Sequence, residues 1–252
     1  MTAVALKGRV TEIFSSLQGE GLRLGERMIF VRLAGCSWRC RYCDTPASLS
    51  ARTGTETTVE DVIDRVRSLR EEQPQETVSL TGGEPLLQTE FLGALLTAMK
   101  RLNFFTYLET SGTYPELLKP VIDQTDLVAM DIKLPSAVGR PFWEEHADFL
   151  NISSGKVFVK IVLTEGTTDE ELERSFRIAA AADPIPAVVL QPATAIVDLE
   201  ARILRGKDGL SPDGPWVLPP SPSRLQQMWE RFRRRLPDVR IIPQMHPIWG
   251  VR

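Results

Sequence analysis

The chain has 252 residues, of which 42% are hydrophobic and 25% are charged, which is typical of a soluble globular protein of one domain. A formal net charge of −3 gives no electrostatic reason to expect binding to nucleic acid. The longest apolar runs are the length of a strand, far short of a membrane span, and the first nine residues lack the apolar core of a signal peptide. All three cysteines lie within residues 36–43, so we expect a protein of the reducing cytoplasm and not a secreted disulfide scaffold.

The first predicted elements are two strands, over residues 9–14 and 28–33, which are short runs rich in β-branched and apolar residues. Between them lies Ser16–Gly21, a glycine-flanked loop that carries an amide and a carboxylate. After the cysteines, a capping-box pattern at Thr57–Glu60 opens a helix that is predicted to end near Glu72.

From there, short β-rich runs alternate with helix-like stretches. The predicted strands cover residues 77–81, 104–109, 126–131, 157–163, 187–191 and 239–242. The predicted helices between most of them cover residues 88–102, 141–149, 168–182 and 222–236. This alternation indicates an α/β fold with a largely parallel sheet and helices outside it. Six such units are too few for an eightfold barrel, so we predict an open, partial TIM-like barrel of one domain, preceded by the small strand pair.

Polar or glycine-rich residues follow all six of these strands. They are Thr81–Pro85, Glu109–Gly112, Asp131–Lys133, Thr164–Gly166, Gln191–Thr194 and Gln244–His246. Barrel enzymes build their sites at the carboxyl ends of the strands, so one catalytic mouth would gather these groups. The alternative is that strand-to-helix loops are polar in any case.

Residues 193–222 interrupt the alternation, because they are rich in proline and glycine, and we predict a surface loop there. The helix that follows ends in Arg231, Arg233, Arg234 and Arg235. We interpret these arginines as a solvated helix end whose cations offset the helix dipole. The alternative is a docking patch for an acidic electron-donor protein.

The three cysteines have the spacing Cys36-x3-Cys40-x2-Cys43. Thiolates select zinc or iron–sulfur clusters. A structural zinc site takes four ligands, whereas a cluster held by three cysteines leaves one iron open for chemistry. The alternative is a zinc knuckle that His146 or His246 completes.

This spacing, with the aromatic Tyr42 before the third cysteine, resembles the cluster loop of the radical S-adenosylmethionine (SAM) enzymes. The resemblance implies a [4Fe–4S] cluster whose open iron binds SAM, and a 5′-deoxyadenosyl radical formed when the reduced cluster cleaves SAM. The turn Thr81–Pro85 supports it, because Gly82 and Gly83 let the backbone approach a ligand closely and Glu84 can accept a hydrogen bond from the SAM ammonium.

The flanking motifs resemble the 7-carboxy-7-deazaguanine synthases across nearly the whole chain. These motifs are Leu17–Gly21, Phe30–Cys36, Cys43–Thr45, Glu109–Gly112 and Pro243–Gly250. The resemblance implies a radical ring contraction of 6-carboxy-5,6,7,8-tetrahydropterin to 7-carboxy-7-deazaguanine with release of ammonia, in the synthesis of queuosine and related 7-deazapurines. It also implies a homodimer and an electron donor such as a flavodoxin.

Carried over to this sequence, the resemblance assigns Cys36, Cys40 and Cys43 to the cluster and Thr45 to Mg²⁺. The implied SAM contacts are Tyr42, Cys43, Asp44, Gly83, Glu84, Ser111, Asp131, Ile132, Lys133, Gln191, Pro192, Ala193 and Thr194. The implied substrate contacts are Leu17, Gln18, Gly19, Glu20, Arg32, Thr81 and His246. The guanidinium of Arg32 matches the two oxygens of the substrate carboxylate.

Three of these assignments have simpler alternatives. Thr45 can cap the turn that begins at Pro46, Lys133 can be a surface lysine, and His246 can be a hydrogen-bonded structural histidine. Many family members carry Ser-Pro-Lys where this chain has Asp131-Ile132-Lys133. A glycyl-radical activase of the same superfamily has a similar Asp-x-Lys segment, but the Gln18–Gly21 loop and the tail around Trp249 speak against that function.

Overall fold

The computed structural model describes residues 5–153, 155–196 and 217–251. Its nine strands form one sheet in the order β3-β1-β2-β4-β5-β6-β7-β8-β9. The strands are β1 Lys7–Leu17, β2 Arg27–Leu33, β3 Thr55–Thr58, β4 Thr77–Gly82, β5 Phe105–Thr110, β6 Leu127–Asp131, β7 Val157–Leu163, β8 Val188–Pro192 and β9 Val239–Ile241. β1 is antiparallel to both neighbours, and every pairing from β2 to β9 is parallel. β3 and β9 are the two edges, which confirms the predicted open α/β barrel.

The helices lie between the parallel strands, as the alternation predicts. They are α1 Val59–Glu72, α2 Thr89–Arg101, α3 Pro115–Leu118, α4 Pro135–Val138, α5 Trp143–Ser153, α6 Asp169–Ala181, α7 Pro222–Arg233 and α8 His246–Trp249. No helix in the described ranges is long and apolar enough to cross a membrane.

Three local predictions need correction. The capping box of α1 is formed by Thr58 and Asp61, one residue later than the predicted pair. β3 was not predicted, because its sequence Thr-Glu-Thr-Thr is polar; it pairs at the sheet edge with residues 7–10. The predicted helix 222–236 ends at Arg233. Most of the predicted loop 193–222 falls on residues 197–216, outside the described residues.

The arginines at the end of α7 face acidic side chains of α6. Arg235 lies 2.9 Å and Arg231 3.4 Å from the carboxylate of Glu173. Arg234 lies 3.7 Å from Glu230 on its own helix. This pairing fits the interpretation as a solvated helix end; the docking patch stays a prediction.

The two faces of each parallel strand have different roles. In β7, Val157, Val159, Ile161 and Leu163 belong to the large core between sheet and helices. The alternate residues Phe158, Lys160 and Val162 point to the other, concave face. There Phe158 packs in a second, smaller apolar cluster with Phe14, Met28, Phe30, Tyr107, Ala129 and Val189. This cluster closes one end of the concave face, so the carboxyl ends of the strands are left for polar side chains.

Candidate active site

A cavity of about 360 Å³ opens at the carboxyl ends of the parallel strands. Five of the six predicted strand ends contribute to its lining: Thr81–Gly83, Glu109–Ser111, Asp131 with Lys133, Gln191 with Ala193, and Gln244 with His246. The sixth, Thr164–Gly166, does not; β7 contributes Lys160 and Val162 instead. The fold therefore gathers these groups at one mouth.

The cysteine loop (residues 36–45) forms one wall of the cavity, and all three cysteines are partly buried in the lining. Main-chain hydrogen bonds hold the loop: Cys43 N donates to Cys40 O over 3.0 Å, and Arg41 N donates to Ala137 O over 3.0 Å. Burial raises the pKa of the Cys36 thiol to about 11 and also raises the pKa of Cys40. Ionised thiolates at this site therefore need a cationic partner such as a metal.

The three thiols do not gather as tightly as a single zinc ion requires. Two sulfurs bound to one zinc at about 2.3 Å each can be no more than about 4.6 Å apart. Among the described residues, the three-residue set whose ligand atoms gather within 4.8 Å is Glu20, Asp44 and His246, and not the cysteines. His146 is fully buried, with Nε2 3.3 Å from both Lys133 N and Ser111 O. Neither histidine completes the alternative zinc knuckle.

The glycine backbone at the end of β4 packs against the end of β2 and against Gly35, just before the cysteine loop. A Cβ on Gly82 would lie 2.1 Å from Leu33 O, and one on Gly83 would lie 2.3 Å from Gly35 O. Glu84 lies behind the lining, fully buried. Its carboxylate accepts hydrogen bonds from Thr110 Oγ1 and Ser111 N, each over 2.8 Å. The glycines thus bring the backbone to the cavity, whereas Glu84 holds the end of β5 and its contact with SAM stays a prediction.

Two buried polar atoms of the lining have no hydrogen-bond partner within the described ranges of the chain. They are the Tyr42 hydroxyl and Gln191 Oε1, and both residues line the cavity. Buried polar atoms are rarely left unsatisfied, so these two positions suit a polar ligand. Both were predicted from the resemblance as SAM contacts.

A buried network of charges lies beside the cysteine loop, where Lys133 Nζ is 5.5 Å from the centre of the Tyr42 ring. Lys133 Nζ lies 2.6 Å from Asp131 Oδ2, and Lys160 Nζ lies 3.3 Å from Asp131 Oδ1 and also pairs with Glu20. Burial alone raises the pKa of Asp131, but Lys133 and Lys160 outweigh it and hold that pKa below its ordinary value. Lys133 is 9% exposed, so the surface-lysine alternative is wrong. Sequence reasoning missed Lys160, although a lysine inside the apolar run of β7 is itself an unusual signal.

The loop after β1 forms the floor beside this network. Gln18 Nε2 donates to Glu109 Oε1 over 3.1 Å, and Gln18 Oε1 accepts from Glu20 N over 3.0 Å. Burial raises the pKa of Glu109, which belongs to the predicted strand end Glu109–Gly112 but was not among the site residues that the resemblance assigned. Arg32 lines the cavity with Nε 2.8 Å from Glu12 Oε1.

The segment that follows β9 closes the mouth against this loop. Met245 N donates to Gly19 O over 2.9 Å, and a Cβ on Gly19 would lie 2.6 Å from His246 Nδ1. His246 Nε2 lies 3.5 Å from Asp44 Oδ2. Burial raises the pKa of Asp44, but His246 outweighs it and lowers that pKa to about 2.

Most predicted site residues reach the cavity. The lining includes Leu17, Gln18, Gly19, Glu20, Arg32, Cys36, Cys40, Tyr42, Cys43, Asp44, Thr45, Thr81, Gly83, Ser111, Asp131, Lys133, Gln191, Ala193 and His246. Glu84, Ile132, Pro192 and Thr194 lie outside it, and Ile132 packs in the large core. Thr45 caps the turn that begins at Pro46 through its carbonyl, which accepts from Ser48 N over 3.0 Å. Its hydroxyl makes no capping hydrogen bond, so the capping alternative does not account for the hydroxyl.

The pKa values of the two histidines are shifted in opposite directions by folding. Burial lowers the pKa of His146 to about 3, whereas Asp44 raises the pKa of His246. Between about pH 3 and pH 6.5, His146 binds a proton in the unfolded chain but not in the folded one. The free energy of unfolding should therefore decrease as the pH falls below about 6.5. His246 should stabilise the chain fully below about 6.5 and lose that contribution as the pH rises through its folded pKa. Ring ¹⁵N chemical shifts, assigned with His246→Gln, test both; titration of His146 near pH 6.5 would contradict the structure.

The comparisons with known proteins agree with this site. A protein-family model described as the Radical SAM superfamily matches residues 30–179. The 7-carboxy-7-deazaguanine synthase of Geobacter sulfurreducens is 35% identical over 258 residues, which cover 95% of this chain and 96% of that relative. The 7-carboxy-7-deazaguanine synthase of Methanopyrus kandleri is 34% identical over 263 residues, which cover 95% of this chain and 92% of that relative.

A solved structure shows the same fold. The crystal structure of QueE from Escherichia coli matches with a TM-score of 0.56 and 24% identity, over 79% of this chain and 91% of that chain. The resemblances that the cysteine loop and its flanking motifs predicted are confirmed. The chain belongs to the radical SAM superfamily and, within it, to the 7-carboxy-7-deazaguanine synthase family.

Proposed function

We propose that the chain converts 6-carboxy-5,6,7,8-tetrahydropterin to 7-carboxy-7-deazaguanine and ammonia. One observation carries the proposal: the three cysteines, most of the residues predicted to hold SAM and all of those predicted to hold the pterin line the same cavity. When bound, the reduced [4Fe–4S] cluster and SAM supply a 5′-deoxyadenosyl radical that removes a hydrogen from C6 of the pterin and is regenerated afterwards.

The protein's part is to bind and orient the two molecules and to keep water out. Cys36, Cys40 and Cys43 would hold the cluster by three irons, with Gly83 and Gln191 beside SAM. Across the cavity, the Gln18–Glu20 loop and Arg32 would hold the pterin. The buried network around Lys160 would keep Glu20 in place, because Lys160 pairs with it.

The test is an anaerobic incubation of the reconstituted protein with reductant, SAM and 6-carboxytetrahydropterin. We expect carboxydeazaguanine and ammonia in equal amounts. No product from a protein with a full cluster would favour the glycyl-radical activase instead. Brown protein with about four irons per chain indicates the cluster; colourless protein that holds zinc after anaerobic preparation would support the non-enzymatic zinc module.

We also propose that Thr45 would hold Mg²⁺, which would supply positive charge for the substrate carboxylate. Thr45 lines the cavity, its hydroxyl makes no capping hydrogen bond to the following turn, and Mg²⁺ takes oxygen ligands while keeping several waters.

Turnover should rise with added Mg²⁺. Thr45→Ala should lower turnover by more than about tenfold and abolish the response to Mg²⁺, since the site loses a ligand and even a group that only supports a ligand contributes at least that much. Thr45→Ser keeps the hydroxyl and should keep the response. Magnesium titrations of the initial rate measure both. The same Mg²⁺ dependence in Thr45→Ala would remove Thr45 from the metal site.

Further proposals rest on the family resemblance alone. We propose that an electron-transfer protein such as a flavodoxin reduces the cluster, that the chain works as a homodimer, and that it works in the cytoplasm. Light scattering of the holoenzyme tests the dimer; a monomeric mass would rule it out. Cluster reduction by a purified flavodoxin tests the donor, and no reduction would exclude that protein.

A further inference from the structure

The side chain of Gln244 touches three separate parts of the site. Its amide Nε2 donates to Glu20 Oε1 over 2.7 Å and to Asp44 Oδ2 over 2.8 Å. Its carbonyl Oε1 accepts from the hydroxyl of Thr194, after β8. Gln244 thus joins the loop after β1, the cysteine loop and the end of β8.

These contacts use both N–H donors of the amide and its carbonyl. Gln244 lines the cavity, but its hydrogen-bonding groups are committed to the protein and not to a ligand. We therefore expect it to act through the residues that it holds.

An amide donor is well suited to this position, because two carboxylates meet there. Glu20, Asp44 and His246 bring ligand atoms within 4.8 Å of one another. Like charges at this distance repel, and one N–H directed at each carboxylate offsets the repulsion with two charge-assisted hydrogen bonds. A carboxylate at position 244 would add a third negative charge instead.

The two carboxylates belong to loops with different proposed tasks. Glu20 follows Gln18 and Gly19 in the loop proposed to hold the pterin, whereas Asp44 lies between Cys43 and Thr45. The distance between these loops sets the separation between the substrate and the cluster with SAM. Hydrogen transfer depends steeply on such alignment.

We propose that Gln244 is a positioning residue that couples the Gln18–Glu20 loop to the cysteine loop by holding Glu20 and Asp44 together. The proposal rests on the proposed function, so product formation by the unaltered holoenzyme is measured first. A holoenzyme without product would overturn the proposed function and leave nothing for Gln244 to position.

The test compares Gln244→Glu, which reverses the hydrogen-bonding character, with Gln244→Met, which removes it at similar volume. We expect the KM for the pterin to rise about tenfold or more in Gln244→Glu and by less in Gln244→Met, as loss of hydrogen bonds to charged groups predicts. We also expect more 5′-deoxyadenosine released per carboxydeazaguanine, because the radical forms beside a misplaced substrate. Iron content and the change that SAM causes in the electron paramagnetic resonance spectrum of the reduced cluster should be retained.

Gln226→Glu is the matched control, since Gln226 is exposed on α7 and also donates its amide to a carboxylate, Glu230, over 3.1 Å. It should leave both kinetic readouts unchanged. A rise in either readout with the SAM response retained supports the proposal. Values within about twofold of the unaltered enzyme in both Gln244 variants would overturn it. Loss of the cluster or of the SAM response would overturn it too, because Gln244 would then only hold the cysteine loop in shape.

Discussion

Replacing Cys40 by alanine should give a folded, colourless protein that forms no carboxydeazaguanine. The Cys40 thiol lines the cavity between Cys36 and Cys43, and two remaining thiols do not hold a cube of iron and sulfide. Changing a group that merely supports a metal ligand costs up to about a hundredfold, so loss of a ligand should cost at least that. Iron and sulfide analysis, the visible absorption spectrum and product detection by mass spectrometry measure the result.

The fold should survive this change, because no cysteine belongs to the large core between sheet and helices. The free energy of unfolding of the cluster-free chain should change by less than about 1 kcal/mol. Ser37→Ala, at an exposed position of the same loop, is the control and should keep both colour and activity. Cys40→Ala that still binds about four irons and turns over would contradict the assignment of Cys40 as a ligand.

The architecture could be predicted because its cause is local. Most of the parallel strands are short apolar runs, and most are followed by a stretch with helical period, so the order of elements indicates a parallel sheet. β7 shows the limit of this reasoning. Its sequence Val-Phe-Val-Lys-Ile-Val-Leu predicts a buried strand, but Lys160 has meaning only beside Glu20 and Asp131, which lie far away in sequence.

The site could be predicted where binding of a ligand requires particular residues close together in the sequence. The three thiols on one loop and the glycine turn are two such motifs, and both lie at the cavity. Contacts between distant segments could not be predicted in this way. Two examples are the packing of His246 against Gly19 and the hydrogen bonds that Glu84 accepts from Thr110 and Ser111. Both depend on how the strand ends converge, and hydrophobic periodicity in the sequence does not predict that convergence.

Lys160→Met should destabilise the chain by about 3 kcal/mol, because it breaks a buried ion pair and leaves Glu20 and Asp131 without their shared cation. The side chains of Lys160 and of its two partners are 11–14% exposed, so water can replace little of the lost interaction. We place the loss at the low end of the usual range because Lys133 still lies 2.6 Å from Asp131. Urea unfolding of the cluster-free chain, followed by circular dichroism, measures it.

The loss should depend on pH with a definite sign. The folded pKa of Asp131 lies below its ordinary value, so its contribution to stability is present above about pH 4 and is lost as the pH falls through the folded pKa. Without Lys160 that contribution shrinks at neutral pH, whereas at low pH Asp131 is protonated with or without Lys160. The deficit of Lys160→Met should therefore be largest near pH 7 and should narrow below about pH 4.

Two comparisons make the prediction sharp. Lys119→Met removes a lysine from an exposed pair with Glu116, at 53% and 76% exposure, and should cost less than about 1 kcal/mol. Adding Glu20→Gln to Lys160→Met removes one of the stranded carboxylates and should restore about 1–2 kcal/mol, a coupling that a double-mutant cycle isolates. Two results would contradict this prediction: a loss of unfolding free energy in Lys160→Met no larger than in Lys119→Met, or no recovery of that free energy when Glu20→Gln is added. The Lys160–Glu20 ion pair would then not hold the Gln18–Glu20 loop against β7. That loop would then have to be held by its other contacts, which are those of Gln18 with Glu109, of Gly19 with Met245 and of Glu20 with Gln244.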